Sequence, residues 1–211
     1  LLDADYSFAI ARNITEHLTQ RNDLPPLILV GIAYGGPNQY RLNRRRDYTP
    51  RHSPTGGYGR EYQKVSGGGP KFVEFIEKDL IPFVESRYPA SGERGIVGHS
   101  YGGLFASWVL LTRPGLFDVH VIVSPSLWYH DEWMFGVEEK IADDALRGRA
   151  YLAVGDREAS VMPRTLVEMT ERLRERQPGL AVRHEIFDDE THNSVFPTAL
   201  SRGLRWGFRG R

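Results

Sequence analysis

Cysteine is absent from the 211 residues, which excludes a disulfide framework, thiolate catalysis and cysteine metal sites without deciding the redox compartment. Net charge is absent as well. The 27 Lys and Arg balance 27 Asp and Glu, so electrostatics gives no reason to expect a nucleic-acid partner or an anionic membrane surface. No apolar run approaches the roughly 20 residues that would span a bilayer. Internal repeats and low-complexity tracts are also missing. The chain opens on Leu1-Leu2-Asp3 rather than methionine, as though inside a strand, so further N-terminal strands and any signal peptide are expected to precede it. The cytoplasm is the expected compartment, with the periplasm as the alternative for the same reason. None of these features specifies an oligomeric state.

What is present suits one globular unit. With 40% hydrophobic residues over this length, residues 1–211 make a single domain with one sizeable core. Apolar spacing from Phe8 to Leu18 is helical and ends near Asn22, before Pro25-Pro26. Leu27 to Ala33 is a continuous apolar run, as in a strand buried on both faces. Residues 34–70, rich in glycine, proline, arginine and tyrosine without a sustained period, read as a long irregular loop of the functional kind. Phe72 to Phe83 falls at helix spacing, with Pro82 ending or kinking the helix. Strands are expected at Arg94 to Val97, Val119 to Val123, Ala150 to Val154 and Ala181 to Phe187. Helices are expected at Tyr101 to Leu111, Pro163 to Arg176 and Pro197 to Phe208, and a helical cap over residues 130–146. Alternation of this kind implies an α/β fold, a mostly parallel sheet with helices on both faces.

One stretch carries chemistry. Gly98-His99-Ser100-Tyr101-Gly102 lies between an expected strand and an expected helix, the context of a nucleophile elbow. Glycines on either side permit the sharp turn, and the free amides of the following helix point to where negative charge develops on a carbonyl oxygen. Ser100 is the candidate nucleophile. A serine hydroxyl needs a base, and among seven histidines His192 lies just after the last expected strand, where loops converge on such a site. The acid that orients it should fall between the two in sequence. Gly155-Asp156-Arg157-Glu158, just after a strand, offers Asp156 and Glu158, and spacing does not choose between them. For the oxyanion, the backbone of Tyr101 is joined by that of either Ala4 or Asp5, in the loop after Leu1-Leu2.

The chain resembles the trilactone siderophore esterases of the α/β-hydrolase superfamily, the group of the enterobactin and bacillibactin esterases. The resemblance rests on Leu2-Asp3, on Arg44 with Asp47-Tyr48-Thr49-Pro50, on Gly98 to Phe105, on Ser124-Pro125-Ser126-Leu127-Trp128, on Val154-Gly155 with Glu158, and on His192 with Ser194 and Pro197. It implies an α/β-hydrolase fold and favours Glu158 over Asp156, because bacillibactin-type members carry a glutamate there. It also implies hydrolysis of a cyclic trilactone bearing catecholates, so that iron is released, with no metal or organic cofactor. Arg44 would attract the anionic iron complex and Trp128 would stack on catechol rings. Arg45-Arg46 and the glycine-rich stretch from Thr55 to Gly69 depart from the family pattern where substrate would enter.

The expected activity is thus that of a serine esterase with a Ser100–His192–Glu158 triad acting on a small ester, of ferric siderophore type by the resemblance. A general short-chain carboxylesterase or an acyltransferase shares the same triad and is the first alternative. A non-catalytic ligand-binding protein on the hydrolase fold is the remote one.

Overall fold

A computed structural model describes residues 1–55 and 59–208; Gly56, Gly57 and Tyr58, part of the glycine-rich approach, lie outside the described residues. Four strands, β1 (Gly95–His99), β2 (Val119–Val123), β3 (Gly148–Gly155) and β4 (Leu180–Phe187), form a parallel sheet in the order β1-β2-β3-β4. Val97 lies opposite Val121, Val121 opposite Tyr151 and Tyr151 opposite Arg183. The helices are α1 (Ala4–Gln20), α2 (Pro37–Tyr48), α3 (Arg60–Lys64), α4 (Gly69–Phe75), α5 (Ile81–Glu85), α6 (Tyr101–Thr112), α7 (Tyr129–Glu138), α8 (Val161–Arg176) and α9 (Val195–Phe208).

Both faces of the sheet are covered, so β2 is buried at every position, as a strand of a parallel sheet must be. Pleating then sends alternate side chains to opposite cores. Ile122, Leu152 and Val154 pack with Leu104 and Phe105 of α6 and Leu166 and Met169 of α8. Val121, Val123, Tyr151 and Ala153 pack with Ala11 and Leu18 of α1 and Ala199 and Leu200 of α9. Strand and helix thereby alternate through a core whose parallel strands all end at one edge.

Several sequence expectations are corrected. Residues 34–70 are not an irregular loop: they hold α2 and α3 and the start of α4. The expected helix over residues 130–146 stops at Glu138, and His130, Asp131 and Glu132 within it have left-handed backbones with φ of 52°, 53° and 60°. The end is fixed from outside, since Arg176 donates to the carbonyls of Glu138 and Ile141. The first helix begins at Ala4, four residues earlier than its apolar spacing shows. Between α4 and α5 the chain makes a π-helical turn, Ile76–Leu80. That turn absorbs Pro82, which has no N–H to donate back along an α-helix. Finally, Leu27 to Ala33 forms no ladder. It runs beside Leu1-Leu2, where Leu1 N donates to Val30 O at 2.8 Å and Ile32 N to Leu1 O at 3.0 Å, while Leu2 N reaches Val97 O of β1 at 3.0 Å. An apolar cavity of about 300 Å³, lined in part by Leu29, Ile81, Val84, Val97 and Phe117, opens between the segments.

Candidate active site

The elbow is formed as its glycines imply. Ser100 has φ 59° and ψ −117°, a strained backbone for a residue with a side chain. It is held from three sides: Ser100 N donates to Val123 O at 3.0 Å, and Ser100 O accepts from Leu104 N at 2.9 Å and Ser126 N at 3.1 Å. A Cβ on Gly98 would overlap the carbonyl of Gly102, and one on Gly103 would come within 2.9 Å of Val123 O. The turn therefore closes only with glycine at these places.

Across the sheet edge, the loops after β3 and β4 meet. His192 Nδ1 lies 2.6 Å from Glu158 Oε2. The other carboxylate oxygen, Oε1, accepts from Ser124 Oγ at 2.6 Å and from Gly155 N at 2.9 Å. The Glu158 side chain is 1% exposed and that of His192 36%, a buried acid behind a ring that reaches solvent. Burial pushes the Glu158 carboxyl up, but the hydrogen bonds from His192, Ser124 and Gly155 outweigh it and hold it below its ordinary value. Asp156 is exposed, and its amide donates to Phe187 O at 2.9 Å. Of the two acids that spacing left open, only Glu158 faces His192. Among the described residues no hydrogen bond joins Ser100 Oγ to His192, a link that in unliganded sites is commonly long and tightens with substrate.

The two amides offered for the oxyanion are not equivalent. Ala4 N donates to Ile32 O at 3.0 Å, so Ala4 is removed as a donor, and Asp5, in the first turn of α1, remains. The Asp5 carboxylate accepts from Tyr34 N at 3.0 Å and Gly35 N at 3.0 Å, which fixes that turn. Tyr101 is the first residue of α6, directly after Ser100.

Arg44 does not serve as a free cation for substrate. Its Nε and Nη2 donate to the two Asp3 carboxylate oxygens at 2.7 and 3.0 Å, with side chains 15% and 1% exposed. Burial alone would lower the Arg44 guanidinium, but the Asp3 charge overrides it and raises the value. Tyr40 OH adds a bond to Asp3 Oδ1 at 3.0 Å, and Asp3 N donates to Tyr48 OH at 2.9 Å. Trp128 stands at the N-terminus of α7, half-buried and edge-on to Tyr101 with ring centroids 6.1 Å apart.

Residues 1–203 match the family model described as "Putative esterase". The chain belongs to this esterase family. A ferri-bacillibactin esterase, BesA of Bacillus subtilis (strain 168), is 32% identical over 222 residues, covering 98% of this chain and 76% of BesA. A siderophore enterobactin esterase of Emericella nidulans is 30% identical over 244 residues, 97% of this chain and 79% of the relative. Among solved structures, an IroE-like serine hydrolase from Shewanella oneidensis superposes with a TM-score of 0.88 at 29% identity, over 99% of this chain and 68% of that one. As a member of this family the protein is a serine esterase of α/β-hydrolase fold.

Sequence reasoning missed three parts of this candidate site. Ser124 has a φ of 44° and places its hydroxyl on Glu158; its motif was visible, its task was not. His99, passed over when His192 was chosen among the seven histidines, donates from Nε2 to His192 O at 2.7 Å. Tyr6 OH is 2.8 Å from His99 Nδ1. No spacing signal connects residues 93 positions apart.

Proposed function

We propose that this esterase hydrolyses the ester bonds of trilactone catecholate siderophores through a Ser100–His192–Glu158 triad. The observation that carries the triad is the His192 Nδ1 to Glu158 Oε2 contact of 2.6 Å at the sheet edge where Ser100 stands. Ser100 Oγ attacks the ester carbonyl as His192 Nε2 takes its proton, and the Glu158 carboxylate holds the ring and stabilises the imidazolium. The amides of Tyr101 and Asp5 receive the charge on the tetrahedral intermediate. Collapse expels the alcohol, protonated by His192, and leaves an acyl ester on Ser100. Water activated by the same ring then releases the acid.

The substrate reading draws on the relatives named as ferri-bacillibactin and enterobactin esterases and on the aromatic wall beside the nucleophile. Trp128, half-buried, is the part of that wall within reach of a ligand, and it meets the buried Tyr101 edge to face. Catechol rings suit such an aromatic face. The test is a comparison of kcat/KM for a ferric trilactone, the iron-free trilactone and p-nitrophenyl acetate, in the wild type and in Ser100→Ala. Trilactone turnover well above that of the simple ester, lost in Ser100→Ala, is the expected result. Turnover of the simple ester alone would overturn the substrate, and unchanged turnover in Ser100→Ala would overturn the mechanism.

A further inference from the structure

His192 sits in the loop between β4 and α9, where no regular structure fixes its backbone. Glu158 holds its ring from one side. Its carbonyl is held separately, by His99 Nε2 at 2.7 Å, and the two imidazole rings lie against each other with centroids 4.7 Å apart. His99 is joined by a peptide bond to Ser100. The contact is therefore a direct tie between the residue carrying the nucleophile and the residue carrying the base.

The protons in this tie are determined by chemistry. A carbonyl oxygen only accepts, so His99 Nε2 must bear the hydrogen. In a neutral ring Nδ1 is then an acceptor, and Tyr6 OH must be its donor at 2.8 Å. Tyr6 lies one residue after Asp5, in the first turn of α1. The chain Tyr6–His99–His192 thus connects the oxyanion turn, the elbow and the base loop, and it has one consistent direction of donation. His99 is 6% exposed and packs edge-on to Tyr6 and against Phe196. Burial lowers its pKa to about 4, with the neighbouring His192 ring acting in the same sense, so the neutral tautomer persists at working pH.

We infer that His99, oriented by Tyr6, is a positioning residue that sets the distance between Ser100 Oγ and His192 Nε2 by anchoring the His192 backbone to the elbow. This rests on the triad proposed above. It makes His99 neither a base nor a substrate contact, and it gives the residue inside the elbow a task that its place in the G-x-S-x-G pattern does not imply.

The experiment uses the whole protein and five forms: wild type, His99→Leu, His99→Gln, Tyr6→Phe and His192→Ala. Steady-state kinetics on a p-nitrophenyl ester and the rate of inactivation by a fluorophosphonate are read for each. His99→Leu removes the donor, and kcat should fall about 10- to 100-fold, the usual scale for losing a group that orients a catalytic histidine. KM should stay within about twofold, because no substrate contact is lost. Fluorophosphonate inactivation should slow by the same factor as kcat. His99→Gln carries an amide N–H able to reach the same carbonyl and should recover most of the loss, a rescue that a purely structural role would not show. Tyr6→Phe should lower kcat several-fold in the same pattern.

A folded His99→Leu with unchanged kcat would overturn the inference, as would a glutamine variant no better than leucine. Where leucine prevents folding, unchanged kcat in Tyr6→Phe together with no activity in a folded His99→Gln would overturn it too. His192→Ala separates the two levels: loss of turnover there with full activity in His99→Leu rejects only the positioning role. Retained turnover in His192→Ala rejects the triad and the inference with it.

Discussion

Replacing Arg44 by methionine keeps most of the buried stem and removes the guanidinium from a carboxylate that is 1% exposed. Asp3 would lose two charge-assisted bonds, at 2.7 and 3.0 Å, and among the described residues its carboxylate would keep only Tyr40 OH at 3.0 Å. Breaking a buried pair by removing one partner typically costs about 3–5 kcal/mol, and the surviving hydroxyl bond argues for the lower end, roughly 3 kcal/mol. Asp3→Asn should be costly as well, since it strands Arg44 among Tyr40, Tyr48 and Tyr101 without its counter-charge. The double variant, which leaves no unpaired charge, should cost less than the sum, with a coupling energy of about 2 kcal/mol. Urea unfolding of the four proteins at pH 7 measures this cycle. Kinetics on a ferric trilactone supplies the contrast, because a substrate-binding Arg44 would raise KM and leave the midpoint unchanged. Arg44→Met within about 1 kcal/mol of wild type, with KM alone increased, would refute the structural assignment of the ion pair.

The two acids are separated by a simple pair of variants: Glu158→Gln should lower kcat by about three to four orders of magnitude, as loss of the orienting carboxylate does in triads, while Asp156→Asn should stay within about twofold of wild type. Because the Glu158 carboxyl is held low, its contribution is complete above the ordinary carboxylate range and is lost only as pH falls through the depressed value. His120 on β2 is 2% exposed, has no partner for either ring nitrogen among the described residues, and is lowered by burial to about 3. Below about pH 6.5 the unfolded chain takes up a proton that the folded one does not, so this residue makes stability fall with acid. His120→Leu should then gain about 2 kcal/mol more at pH 5 than at pH 7.5 in urea unfolding; equal effects at the two pH values would contradict the assignment. Gly155→Ala places a Cβ on the Glu190 carbonyl and should push the two loops apart, reducing kcat at least about tenfold with an intact circular-dichroism spectrum.

The parts of the fold visible in the sequence are those whose residues carry a period or an unbroken apolar run. Val119 to Val123 falls on β2 residue for residue, and α8 and α9 follow their apolar stripes to within two residues at their starts. The helix α2 was invisible for a physical reason. Its sequence from Pro37 to Tyr48 has no apolar stripe, and what holds it is polar and distant in sequence: Tyr40 and Arg44 on Asp3, and Arg45 Nη1 on Tyr101 OH at 2.6 Å. The same distance hid the ion pair of Arg44, which the resemblance made a cation for the substrate, because its partner lies 41 positions away. Ser100 and His192 could be picked out by a strained glycine turn and by chain order. Glu158 could not be separated from Asp156 by spacing, since the choice depends on Gly155 N turning the glutamate back while the Asp156 amide goes to Phe187 O.

The nucleophile can be identified without knowing the substrate, by treating the protein with a fluorophosphonate and locating the adduct by peptide mass spectrometry. A single adduct on the peptide containing Ser100, absent in Ser100→Ala and formed far more slowly in His192→Ala and Glu158→Gln, is the predicted result. No adduct, or an adduct on another serine that forms at the same rate in all four proteins, would contradict the central claim.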